Sequence, residues 1–119
     1  MAAQDALMQG IIDAINAQST QIAYGTGVVN AAQITFKASS ATSVMLWNKN
    51  SVRRGAILVN TDANDLYIRF GTTASTSSGG WTYKIPSGAT WEMPQPIFGG
   101  RIDGIWSAAG AGVAEMTEM

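Results

Sequence analysis

The chain has 119 residues, 46% hydrophobic and 13% charged, with seven basic and eight acidic side chains and a formal charge of −1. One domain with one modest core fits that length, and the balance excludes both a disordered polymer and a nucleic-acid binder that relies on a basic surplus. Cysteine and histidine are both absent, which removes disulfides, thiol nucleophiles, cysteine-ligated zinc and the Ser-His-Asp and HExxH chemistries.

Residues 1–18 read as a short N-terminal helix or arm. Leu7, Met8, Ile11, Ile12 and Ile15 recur at the helical period, with Asp13 and Asn16 off the stripe. A helix this short must pack on something, either the chain's own sheet or a neighbouring subunit that it would anchor. Asp5 is the only charge among the first ten residues and Lys37 is the first cation, unlike the basic start of a secretory signal. No apolar run reaches the roughly 18 residues of a membrane span. The expectation is a protein made in a cytoplasm, with no membrane partner.

Residues 19–119 read as one β domain. Short strands at 21–24 and 34–37 flank the turn Gly25-Thr26-Gly27, and 43–48 is an apolar run of strand length. The run Ala56-Ile57-Leu58-Val59 within 54–60 suggests a strand buried on both faces. Thr61-Asp62-Ala63-Asn64 is a turn whose side chains can bond their own backbone. Leu66, Ile68 and Phe70 then alternate with Tyr67 and Arg69. The small, polar stretch 72–80 suggests an exposed hairpin loop. Trp81, Tyr83 and Ile85 alternate with Thr82 and Lys84, and Trp91 and Met93 flank Glu92 in the next strand. Pro94 and Pro96 suit an edge or a connection. Ile102, Gly104 and Trp106 share a face opposite Arg101, Asp103 and Ile105, and 113–118 closes the series. Eight or nine strands at this spacing predict an all-β fold, an antiparallel β-sandwich or jelly-roll-like barrel.

The chemistry-bearing patterns are sparse. Gly25-Thr26-Gly27-Val28-Val29-Asn30 misses GxGxxG at its last position and opens no helix, so it reads as a turn. Asp62-Ala63-Asn64-Asp65 continues into Leu66 and Tyr67 where a calcium loop needs a ligand and a glycine. Glu92 and Asp103 lie near tryptophans, as a glycosidase pair would, yet nothing in their spacing brings them together; both read as solvent-facing strand charges. Arg53-Arg54 reads as an edge-strand or interface ion-pair feature. Trp47, Trp81, Trp91 and Trp106 can fill a core, line an oligomer interface or stack on sugar. No catalytic, cofactor or metal residue is nominated. The candidate interface residues are Leu7, Ile11, Ile15, Trp81 and Trp106.

Three segments carry a resemblance. Arg53-Arg54-Gly55-Ala56-Ile57-Leu58-Val59-Asn60, then Leu66-Tyr67-Ile68-Arg69-Phe70-Gly71, then Gly100-Arg101-Ile102-Asp103-Gly104-Ile105-Trp106 resemble small virion proteins of tailed bacteriophages. The likeness covers roughly residues 52–118 and implies a β-sandwich-like subunit on a particle: a head decoration protein, a head fibre or a tail component. It supplies no functional residue. Together these readings lead to the expectation of a non-enzymatic virion structural protein. It would self-associate, with a trimer expected, and dock on other virion proteins such as the major capsid protein, anchored in part by its N-terminal segment. The alternative is a tail-tip or fibre module that recognises host surface glycan.

Overall fold

A computed structural model of the chain describes residues 31–119. The expected helix over 1–18, with Leu7, Ile11 and Ile15, and the strand at 21–24 lie outside the described residues. Among those described, the fold is all-β. Eight strands run β1 (Gln33–Ala38), β2 (Val44–Trp47), β3 (Ala56–Asn60), β4 (Leu66–Phe70), β5 (Tyr83–Ile85), β6 (Thr90–Glu92), β7 (Ile102–Trp106) and β8 (Val113–Glu118). They form two four-stranded sheets, ordered β1-β8-β3-β6 and β2-β7-β4-β5, with every strand antiparallel to its neighbours. Of the connections between successive strands, only β4–β5 stays within one sheet. This strand order is that of a jelly roll, the double-sheet arrangement of two Greek keys.

Period-two alternation builds the core. In the first sheet Ala56, Leu58, Trp91, Ala114 and Met116 point inward; in the second, Leu66, Ile68, Ile85, Ile102 and Trp106 do so. Gly104 sits among them because Leu46 and Leu66 occupy the space a Cβ would take. A bulge between Met45 and Trp47 lets two consecutive residues, Leu46 and Trp47, both enter the core.

The strand directions sort the loops into two ends. Residues 39–43, 61–65, 86–89 and 107–112 gather at one end. Residues 48–55, 71–82 and 93–101 gather at the other, beside the start of β1 and the end of β8.

Three expectations change. The β3 run is not buried on both faces: Ala56 and Leu58 are buried, whereas Ile57 and Val59 are half-buried on the outside, because no layer among the described residues covers that face. The 72–80 loop is not wholly exposed. Ala74 is buried and its N–H donates to Ser43 Oγ at 3.0 Å, while Arg69 Nη1 donates to the Thr73 carbonyl at 3.0 Å. The first half of the loop thus folds back over the outer face of the second sheet. Asp103, finally, is not a solvent-facing charge. It is buried, and its Oδ1 accepts from Arg101 Nε at 2.7 Å.

Candidate functional site

The buried polar and charged residues Arg53, Asn60, Asp62 and Asp103 are engaged internally. Asn60, at the end of β3, is fully buried. Its Oδ1 accepts from Trp106 Nε1 at 3.1 Å and from the Asp62 N–H at 3.2 Å. Its Nδ2 donates to the carbonyls of Asn64 (2.9 Å) and Ile85 (3.0 Å). Asp62 extends the network. Oδ2 accepts from the Asn64 N–H at 3.0 Å and from Asn64 Nδ2 at 2.9 Å, and Oδ1 from the Gly112 N–H at 2.8 Å. Burial pushes the Asp62 carboxyl up, but hydrogen bonds from the Asn64 side chain, the Gly112 and Asn64 amides and Ser39 outweigh it and hold the group below its ordinary value. The turn expected at 61–64 is therefore the hub of this end, with the carboxylate oxygens that a cation would need already held by N–H donors.

Arg53 is also an internal fixture, not an interface residue. Its guanidinium is fully enclosed and Nε donates to Glu118 Oε2 at 2.6 Å. Nη1 donates to the carbonyls of Phe98 (2.6 Å) and Gly100 (3.1 Å), and Nη2 to that of Asn48 (2.8 Å). Five donors in a planar fork suit this task, which a lysine could not perform.

Of the predicted interface residues, Trp106 lies inside the sandwich, 1% exposed, so its ring has no surface to offer a partner. The register puts it on the inner face of β7, and the Asn60 bond keeps its one polar atom satisfied. Trp47 and Trp91 are likewise core residues. Trp81 is 37% exposed and meets Tyr67 edge-on at 5.4 Å between ring centroids. Lys84 Nζ lies 5.8 Å from the Tyr67 ring centre and 3.5 Å from Asp65 Oδ2. This small aromatic and charged platform sits on the outer face of the second sheet.

No family model, curated protein or solved structure matches this chain. The surface itself must therefore carry the functional argument.

The outer face of the first sheet is the more distinctive surface. Two rows cross all four strands: Ile34–Thr117–Ile57–Glu92 and Phe36–Glu115–Val59–Thr90. Ile34 is 73% exposed and Phe36 66%, large apolar side chains on an edge strand, with Thr117 and Glu115 of β8 between them and half-buried Ile57 and Val59 of β3. Scattered single hydrophobics on a surface need no explanation, but adjacent ones on a sheet mark a contact surface. Sequence reasoning missed Ile34 and Phe36 as interface candidates. The segment 34–37 reads only as a short strand, and its alternation carries no signal of which face is inward.

Proposed function

We propose that the chain is a non-enzymatic structural subunit of a bacteriophage virion that works by association, with decoration of the capsid surface as its role. The carrying observation is the pair Ile34 and Phe36, exposed on the outer face of edge strand β1 in the β1-β8-β3-β6 sheet. Such a pair loses apolar area to a protein neighbour on assembly. The buried Arg53, Asn60 and Asp62 are engaged in holding loops together, as a rigid building block requires. Two analogies point the same way: jelly rolls recur in viral capsid proteins, and three segments resemble tailed-phage virion proteins.

The partners under this reading are further copies of the chain and a capsid protein, and the protein resides in the virion after synthesis in the host cytoplasm. Reconstruction of the intact particle by electron microscopy tests it. Density for this jelly roll at regular positions on the head is the expected result. Its absence from purified virions overturns the proposal.

Trp81 supports a second reading. Its exposed ring beside Tyr67 offers a face on which a sugar could stack, as in a receptor-binding module of a fibre or tail tip. Glycan-array binding that Trp81→Ala abolishes without unfolding the chain would favour that role over decoration.

A further inference from the structure

We propose that two copies of this chain pair through β1, antiparallel, across a two-fold axis at Thr35. The inference rests on the reading of the chain as a self-associating subunit and names the contact.

The four sheet edges differ. Unpaired edge strands invite pairing with another chain, and proteins blunt them with short strands, bulges or proline. β5 and β6 have three residues each, with Pro86 directly after β5 and Pro94 two residues after β6. β2 has four residues and is broken by a bulge. β1 has six residues in unbroken register with β8. It contains no proline, and Lys37 is its one charge. Among the described residues its far side pairs with nothing.

The backbone restricts how that side can be used. The Ser39 N–H donates to the Gly112 carbonyl at 3.1 Å, toward the β8 side. Backbone groups alternate direction along a strand, so Gln33, Thr35 and Lys37 also face β8. Ile34, Phe36 and Ala38 turn their N–H and C=O groups outward. Antiparallel pairing of two β1 strands must then place these outward residues opposite one another. With Thr35 opposite the second copy's Thr35, Ile34 meets Phe36 twice, as hydrogen-bonded pairs on the outer face. Lys37 then meets Gln33, so no like charges are opposed. Centring on Phe36 instead would set Ile34 against Ala38. The Thr35 register wins because it makes two aromatic–β-branched pairs and a Thr–Thr pair. The result is a continuous eight-stranded sheet with an isologous contact.

The test uses the full-length chain. Sedimentation equilibrium should show a dimer whose dissociation constant rises at least about tenfold in Ile34→Lys and in Phe36→Lys, with the circular dichroism spectrum retained. Glu92→Lys, on the opposite edge of the same sheet, should leave the dimer intact. Because the chain has no cysteine, single-cysteine variants report the register. At the axis the two Thr35 Cα atoms would stand about 4.5 Å apart, within disulfide reach, so oxidised Thr35→Cys should run as a covalent dimer. Linkage through Phe36→Cys and not Thr35→Cys overturns the Thr35 axis. An oligomer indifferent to both lysines overturns the β1 contact while leaving self-association standing. A monomer at every concentration overturns both.

Discussion

At one end of the sandwich four loops meet over Asn60 and Asp62; at the other, aromatic rings and the enclosed Arg53 guanidinium close the fold. The first end is built from directional bonds. Asn60 serves four partners, Ser87 Oγ donates to the Asp62 carbonyl at 2.6 Å, and a Cβ on Gly112 would run into the Asp62 backbone. The second end is filled by rings. Phe70 stacks on Phe98 at 4.7 Å and 7°, and Trp91 is met by Trp47, Phe70 and Tyr83 at 5.4–6.3 Å. Trp47 Nε1 is the one buried side-chain nitrogen or oxygen without a partner among the described residues. Directional bonding fixes one arrangement and tolerates little, whereas ring packing tolerates exchange between shapes of similar volume. Arg53 is the exception within the second end, and the comparison is sharpest there.

Removing Arg53 should have the largest effect. Arg53→Ala leaves Glu118 and three loop carbonyls without their donor, so unfolding free energy should fall by about 3–5 kcal/mol, read from chemical denaturation. Arg53→Lys should recover only part of it, since one ammonium cannot span acceptors on Asn48, Phe98, Gly100 and Glu118. Full rescue by lysine would mean that charge alone, not the fork, holds this end.

Asn60 comes next. Asn60→Ala strands the Trp106 indole N–H and the Asn64 and Ile85 carbonyls inside the protein, a cost of about 2–3 kcal/mol. Asn60→Asp should not rescue it, because the carboxylate keeps the two acceptor bonds and loses both donor bonds. Thermal melts of the two variants would separate a packing role from a bonding role.

The strands were legible in the sequence because alternation is local: Leu66, Ile68 and Phe70 against Tyr67 and Arg69 declare a face within five residues. The apolar run at 56–59 misled for the same reason. Local pattern shows that Ile57 and Val59 are apolar, not whether a layer covers them. The buried polar groups were illegible. Arg53 meets Glu118 across 65 positions and Asp62 meets Gly112 across 50, distances at which only the assembled fold brings partners together. Arg53 therefore reads as an edge-strand or interface ion-pair feature and Asp103 as a solvent-facing acid. Trp106 reads as an interface candidate because tryptophan is enriched at interfaces, yet its strand alternation places it with Ile102 and Gly104 on the inner face.

Asp62 gives the polar end a pH signature. Its carboxyl titrates below the ordinary value in the folded protein, so the unfolded chain takes up the proton first as pH falls. The stabilisation is fully present above the unfolded-state value of about 3.9 and is lost as pH drops through the lower folded value. Asp62→Asn should cost about 1.5 kcal/mol at neutral pH, the scale of a charge-assisted hydrogen bond. Its deficit relative to the parent should narrow in acid. A deficit independent of pH down to 2 would assign the loss to shape and not to charge.

The smallest effect should come from Phe98. Phe98→Leu keeps an apolar side chain of comparable reach and forfeits the stacked pair with Phe70, so the expected loss is about 1 kcal/mol. The half-buried position and the neighbouring rings allow Phe70, Tyr83 and Trp91 to resettle. Gly100 limits that freedom: a Cβ there would meet the Phe98 ring at 2.6 Å, so the loop backbone lies directly against the stacked pair. Phe98→Leu should therefore leave the Phe98 and Gly100 carbonyls in place for Arg53, and a double variant with Arg53→Ala should be additive. Marked non-additivity would show that the rings and the guanidinium act as one unit, with this end of the sandwich as sensitive to geometry as the hydrogen-bonded one.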